Sequence, residues 1–370
     1  MTLPNPHPEI PESVRRAYGL TISSATAVSG GFSGATVFRA TTVDGRTLAI
    51  RRTPNSAKLQ APRRIRLHGL LSRVAGLGLS QIPVPMIPVN TAQGIATSGA
   101  RPVLLSTAVT PAPVPWVSTE ESQWEVEPWM PGTPLSGIQV TNHHLRSAFR
   151  LLNDFHRLAI DALHTTGQDA WFYVSRTESP AVQRRLAIVN ELRQGLLGQW
   201  QHQLTGHSDL RFRELAARNC DALRHWLPWL HQELSAAAVQ TYSIQPVLRD
   251  VWRAHLLFTD CEVTGLIDLT AAGTDHVTVD LSRLLRSWFG RDTSQVRAAV
   301  ETFRTLRKLD SREFQLWETL DASTVLLSPV TWLRRRLESS DPSPYPDDVI
   351  SRLRELTDVA TNFRPLFSAG

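Results

Sequence analysis

Two aspartates and a histidine pose the chemical question in this chain. Asp250 and His255 stand five residues apart in LRDVWRAHLLF (248–258), and Asp268 follows 18 residues after Asp250 in LIDLT (266–270). A carboxylate at 250 has the chemistry to take a proton from a substrate hydroxyl or to orient it for in-line attack. One at 268 has the chemistry to hold magnesium against nucleotide phosphates. The intervening LLFTDCEVTGLI reads as a hairpin turning at Thr259-Asp260, which brings its two ends, and so the two carboxylates, together. Each aspartate also adjoins residues apolar enough to be buried, where an unpaired carboxylate is costly. Two unrelated surface acids would explain neither the spacing nor the setting.

The elements around these residues change character along the chain. The first 130 residues are β-rich: strands at 25–30 and 35–42 flank SGGFSGA, 43–45 is a hairpin turn, and 47–52 alternates into a third strand. RRIRLHGLLSRVA (63–75) has helical apolar spacing, and Pro83, Pro85 and Pro88 stop its continuation. A weak hairpin followed by a proline-rich loop over 90–117, and then a strand at 124–128, precede the break MPGTP (130–134). Helices then follow at 144–163, 179–204, 210–237, 280–289, 293–308, 312–325 and 347–359. Only two short strands within 247–268 interrupt them. This predicts an α+β fold with a small β-rich lobe over 1–128 and a large helical lobe over 129–370. It is the layout of kinases that close a nucleotide between two lobes, although architecture alone is analogy.

Two further groups suit a nucleotide. Gly30, Gly31, Ser33 and Gly34 make a turn whose backbone N–H groups can approach phosphates. Their spacing lacks the lysine of the phosphate-loop pattern, and an ordinary glycine-rich hairpin is the alternative. Arg51 ends the third strand in LAIRR, where a kinase-like cation pairs with the α- and β-phosphates. Arginine brings a bidentate fork in place of a point charge. With Lys58 and Lys308 as the chain's lysines, an arginine there says little about lost function. A solvated strand end is the bland reading of Arg51, as solvent exposure is of Arg253, whose guanidinium could otherwise steady a transferring phosphoryl group.

With these residues in place, LRDVWRAHLLFTDCEVTGLIDLTAAGTDHVTVDLSRLL (248–285) resembles the core of the aminoglycoside phosphotransferase and choline kinase-like family. That pattern is H-G-D-x-x-x-x-N, an apolar strand, a turn, I-D-F/W and a later D-L. The resemblance implies a catalytic role for Asp250, metal binding by Asp268, and a structural role for Asp280 at the head of the next helix. It extends to the glycine turn, to Arg51 at the family's lysine, and to WEVEPWMPG (124–132) at the lobe connector, with Glu127 and Trp129 where the nucleotide base would be met. NDFHRL (153–158) resembles the histidine-bearing helix beneath the site. The family implies ATP or GTP as co-substrate, Mg²⁺ or Mn²⁺, and a small-molecule hydroxyl acceptor.

The departures are specific. Leu248 replaces the usual histidine, and the helix at 63–75 lacks a glutamate to orient Arg51, His68 being its nearest polar residue. His255 stands where an asparagine binds the second metal. Magnesium prefers oxygen ligands, so His255 would shift the metal preference, bind weakly, or donate a hydrogen bond to phosphate. Losing one preorganised contact costs roughly 10²–10³ in turnover. Two such losses would leave a nucleotide-binding pseudokinase with a regulatory or scaffold role, which is the alternative reading. The acceptor pocket is expected from 276–340, with Trp288, Trp317 and Trp332 as lining or core. Aminoglycosides are polycations and call for an acidic pocket, and the helical lobe shows no acidic cluster. A sugar, amino alcohol or other polar metabolite fits equally well.

Bulk properties exclude other classes. With 42% apolar and 20% charged residues in 370, the chain is expected to be globular, soluble and divided into two lobes. No apolar run suits a bilayer, and the N-terminus lacks a basic start followed by an apolar core, so neither a membrane partner nor secretion is expected. Cys220 and Cys261 are too few for a disulfide framework, which favours a reduced, cytoplasmic setting. The net charge of +5 comes from arginines scattered along helices without a nucleic-acid motif, so no nucleic acid is expected as partner.

Overall fold

Alternating apolar residues build the first of two compact units, Met1–Pro131 and Gly132–Gly370. The computed structural model describes residues 9–28, 35–55, 61–89, 114–338 and 345–366. Gly30, Gly31, Ser33 and Gly34 lie outside these residues, as does most of the hairpin expected over 90–117. Strands β1 (Ile22–Val28), β2 (Thr36–Thr42), β3 (Thr47–Pro54), β4 (Val117–Ser118) and β5 (Ser122–Pro128) form an antiparallel sheet in the order β1-β2-β3-β5-β4. Phe38, Ala40, Leu48, Ile50, Trp124 and Val126 turn one face into a core shared with Val14 of helix α1 (Glu12–Ala17). By the period of two, Arg51 and its register partner Glu125 project from the opposite face. Helix α2 (Ala61–Gly76) brings Arg64 and His68 to that face.

The second unit is mainly helical, so the fold is α+β. Its helices are α3 (Asn142–Thr166), α4 (Pro180–Glu191), α5 (Leu197–Thr205), α6 (Leu210–Ala238), α7 (Thr278–Phe289), α8 (Thr293–Leu306), α9 (Ser311–Leu337) and α10 (Asp347–Thr361). Six strands accompany them: β6 (Thr133–Pro134), β7 (Ser175–Thr177), β8 (Tyr242–Val247), β9 (Leu256–Thr259), β10 (Glu262–Leu266) and β11 (Gly273–Asp275). They form two small sheets, β10-β9-β6 and β11-β8-β7. The second sheet is a correction, because the sequence predicts strands only within 247–268. Strands of three residues, such as β7 and β11, are too short for a period of two to register.

Two helix expectations also change. The helix expected over 179–204 is broken by a π-turn at residues 192–196, where Gly195 takes a φ of 126°. The helix expected to stop at 325 runs on through Pro329 to Leu337. Proline removes one helical hydrogen bond and crowds the preceding turn, but Leu326, Leu327, Val330 and Leu333 around it are all in the core. Tertiary burial thus outweighs the local penalty. Trp288 and Trp317 are buried as well, and Trp332 packs against the same core. Among the described residues no helix is long and apolar enough to cross a membrane.

Candidate functional site

The site is built from one carboxylate outward. Asp280, in the first turn of α7, is fully buried. Its Oδ2 accepts hydrogen bonds from the Leu248 N–H at 2.9 Å and His156 Nε2 at 2.8 Å, and its Oδ1 accepts from the Arg249 N–H at 2.7 Å. His156 comes from the middle of α3, so two helices grip the backbone that leaves β8. Leu248 is buried where the resembled family has a histidine. Its main chain, not its side chain, makes the polar contact. Arg249 is held at φ 66°, a left-handed conformation that costs a side-chain-bearing residue about 1 kcal/mol or more.

That turn sends the Asp250 carboxylate outward, with 45% of the side chain exposed. Arg283 on α7 donates Nε to its Oδ1 at 2.9 Å. Among the described residues no other side chain or N–H bonds that carboxylate, so Oδ2 has no partner there.

The hairpin delivers the second acid. Strands β9 and β10 pair from Thr259↔Glu262 to Leu256↔Leu266, with an irregularity between Val263 and Gly265. Asp260 fills the two-residue turn at φ 52°, and Asp268, two residues beyond β10, sits at φ 58° and ψ 59°. Of the three non-glycine residues with positive φ among those described, Arg249 and Asp268 thus bracket the hairpin. Strain of this kind collects at functional sites, where the surroundings enforce it. Asp268 Oδ1 accepts from the Thr270 hydroxyl at 3.2 Å.

His255 spans the gap between the acids. Its Nδ1 lies 2.8 Å from the Asp250 carbonyl oxygen, and its Nε2 lies 2.6 Å from Trp252 Nε1. A carbonyl only accepts and an indole N–H only donates, so the partners assign a neutral ring with the proton on Nδ1. Burial pushes the His255 pKa below its ordinary value, against the pull of Asp268 and Asp250. The 3.7 Å approach of Nε2 to Asp268 Oδ2 is then a contact without a hydrogen bond. His255, expected beside a metal, has both ring nitrogens spent: it fixes the Asp250 main chain and offers no lone pair. Trp252→Phe removes the donor to Nε2 and is expected to raise the His255 pKa towards its ordinary value. An NMR titration of the imidazole signals checks this, and an unchanged pKa would show that the indole contact does not hold the ring.

In the first unit the acid missing from the helix appears on a strand. Glu125 of β5 accepts from Arg64 Nε at 2.9 Å, pairs with Arg64 Nη2 at 2.6 Å, and contacts His68 Nε2 at 2.9 Å. Burial opposes its ionisation, but the His68 hydrogen bond and the Arg64 charge hold its carboxyl below the usual range. The Arg64 guanidinium also sits 4.3 Å from the Trp116 ring centroid. Helix and strand have thus exchanged charges relative to the expected lysine–glutamate arrangement, with Arg51 directly across the ladder from Glu125. Glu127 is paired in register with Ala49. The Trp129 N–H donates to the Thr47 carbonyl at 3.1 Å and is therefore committed, and its ring lies 5.1 Å from the Arg39 guanidinium.

The structure thus gathers Asp250, His255 and Asp268 in one unit and places Arg51, Glu127 and Trp129 in the other. Sequence reasoning missed Arg283, Arg64 and Glu125. Glu125 alternates with Trp124 and Val126 in WEVE, a signal that it shares a face with Arg51. Arg253 is not free in solvent: its Nη2 meets Glu355 at 3.3 Å and its N–H donates to Ser287 Oγ at 2.8 Å.

A sequence model of the phosphotransferase enzyme family (APH) matches residues 24–321. Comparison with curated proteins gives no match. Among solved structures, an aminoglycoside phosphotransferase from Alicyclobacillus acidocaldarius is similar, with 18% identity and a TM-score of 0.55 over 96% of this chain and 93% of that one. A spectinomycin phosphotransferase in complex with ADP and spectinomycin gives 0.59 at 12% identity, over 94% and 95%. A Plasmodium vivax ethanolamine kinase gives 0.53 at 11% identity, over 91% and 82%. At these identities the structural likeness is one of fold.

Proposed function

Because the chain belongs to the phosphotransferase enzyme family, we propose that it moves the γ-phosphate of ATP or GTP to a hydroxyl of a small polar metabolite. The observation that carries this reading is the gripped turn at 248–250, which Asp280 anchors so that Asp250 projects with one oxygen available. The acceptor hydroxyl oxygen attacks the γ-phosphorus, the bond from that phosphorus to the bridging oxygen breaks, and the nucleoside diphosphate leaves. The hydroxyl proton passes to Asp250 Oδ2. Arg51 supplies a cation for the nucleotide phosphates, and the backbone around Glu127 and Trp129 is the candidate seat of the base. Gly30, Gly31, Ser33 and Gly34 belong to the same proposal as a phosphate turn.

The donor set fits one divalent cation, Mg²⁺ or Mn²⁺. Magnesium is commonly bound by one or two carboxylates, with phosphates and water completing the shell. Asp268, partly exposed and aimed by its left-handed backbone, is the residue to hold it. When bound, the cation would neutralise charge on the nucleotide phosphates. His255 in its present tautomer adds no second ligand, and among the described residues no three His, Cys, Asp or Glu side chains gather as a metal site. That same observation favours a second reading, a nucleotide-binding pseudokinase with a regulatory or scaffold role. Free cysteines, one buried and one exposed, suit a reducing cytoplasm in either case.

Thermal shift and turnover together separate these. ATP with Mg²⁺ or Mn²⁺ at about 100 times its Kd should stabilise the protein by about 2.7 kcal/mol, and Asp268→Ala should lose most of that gain. Nucleotide turnover in a metabolite phosphorylation screen supports the transferase. Stabilisation without turnover under either metal supports the pseudokinase. No nucleotide stabilisation at all sinks both.

A further inference from the structure

A small cleft of about 40 Å³ opens between α7, α9 and α10, one side chain away from Asp250. Arg283, Arg286 and Arg352 line it, with Ser287 and Thr324 as hydroxyls and Leu356 among its apolar walls. Arg283 is the link to the chemistry, since its Nε holds Asp250 Oδ1. Among the described residues its terminal nitrogens make no hydrogen bond, which keeps the two-pronged edge of the guanidinium for a ligand.

The charges around this cleft do not cancel. Arg286 and Asp321 close on each other through two bonds, at 2.8 and 2.5 Å, and are satisfied. Glu355 is shared, one oxygen to Arg253 at 3.3 Å and the other to Arg352 at 2.5 Å. Asp250 has Arg283, but its second oxygen is needed for the acceptor hydroxyl. Four guanidinium groups thus face three carboxylates. A fifth, Arg185, bonds Thr324 Oγ1 at 3.0 Å, the Leu320 carbonyl and Ser323 Oγ, all neutral acceptors. Burial pushes the Arg185 pKa down to about 10; the Asp275 and Asp321 carboxylates oppose the shift, and the Arg184 and Arg283 charges add to it. Burial likewise lowers that of Arg352, against the pull of Glu355 and with the Arg283 and Arg253 charges adding to it. An excess of guanidinium charge in a partly buried cleft is relieved by an anion, and carboxylate and phosphate oxygens match the guanidinium fork.

We propose that the acceptor is an anionic hydroxyl compound, whose carboxylate or phosphate binds Arg283 and Arg352 and so delivers its hydroxyl to Asp250. This rests on the phosphotransferase reading above and deepens it. Arg352 further lies 5.1 Å from the ring centroid of Trp252, whose indole holds His255. An anion on Arg352 therefore sits one side chain away from the ring that spans the two acids.

The test uses the full chain with ATP and either Mg²⁺ or Mn²⁺, and four matched acceptors. Glycerol is neutral, D-glycerate carries a carboxylate, glycerol 3-phosphate carries a phosphate, and ethanolamine is a cation. The expected result is a kcat/KM for one of the anions at least roughly tenfold above glycerol and ethanolamine, and the better anion identifies which group the cleft takes. Arg352→Gln should raise KM for that anion by roughly tenfold with kcat little changed, while Arg352→Lys, which keeps the charge, recovers part of the loss. Calorimetric titration of the two anions into nucleotide-free protein supplies an arm independent of turnover. Anion binding that Arg352→Gln abolishes, with no turnover of any acceptor, would sink the transferase reading and leave an anion site standing. Preferred turnover of glycerol or ethanolamine, or no binding of either anion above glycerol, overturns the inference while leaving or removing the transferase reading according to turnover. Thermal melts of both variants confirm that they fold.

Discussion

Asp250→Asn is expected to lower kcat by roughly 10²–10⁴, the range for a positioned general base, while leaving the melting temperature nearly unchanged. The reason lies in what the substitution keeps. Asparagine is isosteric, and its amide oxygen can still accept from Arg283 Nε, the bond that Asp250 Oδ1 receives at 2.9 Å. The turn itself is also untouched, because Asp280 holds it through the main chain of Leu248 and Arg249. What changes is the other position, where an acceptor oxygen becomes an NH₂ donor facing the incoming hydroxyl. The proton then has no carboxylate to receive it, and the hydroxyl is pushed from its line of attack. Substrate affinity should move much less than kcat, since the proposed nucleotide contacts lie elsewhere. Steady-state kinetics with the best acceptor, alongside a circular-dichroism melt, give both numbers. A loss below about threefold would remove Asp250 from the reaction.

Much of this site was legible because its logic is local. The 18 residues from Asp250 to Asp268 enclose a short hairpin, and a hairpin fixes its own ends whatever else the chain does. The helix bearing His156 was legible from its apolar period, and Asp280 through the family resemblance of 248–285. What escaped is non-local. Glu125 and Arg64 lie 61 residues apart, and no spacing rule joins a strand residue to a helix residue across that interval. The search for a glutamate on α2 looked for the right charge on the wrong element.

His255 shows a second kind of blindness. Residue type made it a metal ligand out of place, yet its role depends on Trp252, three residues before it, folding back to occupy Nε2. A 3₁₀ turn over Arg253–His255 makes that possible, and nothing in the apolar pattern announces such a turn. The charge balance of the cleft was invisible for a similar reason. Arginines on α7 and α10 are scattered in sequence, and only packing brings Arg283 and Arg352 to one cavity.

Asp280→Ala should be the most damaging single change to stability in the second unit, at roughly 3–5 kcal/mol. The carboxylate is fully buried and accepts three hydrogen bonds, two from main-chain N–H groups and one from His156. Removing it strands donors that water cannot easily reach, and each such donor costs about 1–3 kcal/mol. Arg249 would also lose the bond that enforces its left-handed backbone, so the turn should relax and carry Asp250 with it. Activity is therefore expected to fall together with stability, unlike in Asp250→Asn. Asp280→Asn keeps one acceptor but turns an NH₂ towards a donor, so it should rank between alanine and the native residue. His156→Phe leaves both main-chain bonds in place and should cost least. The same burial gives a pH signature: His156 and His255 are both held below their ordinary pKa by burial. As pH falls through about 6.5 the unfolded chain takes up their protons before the folded one does, so stability declines on acidification and is fully present above that value. Melting curves of the four proteins from pH 5 to 8 test the ranking and the slope together. A melting temperature for Asp280→Ala within about a degree of the native protein would mean that the three hydrogen bonds do not hold the turn.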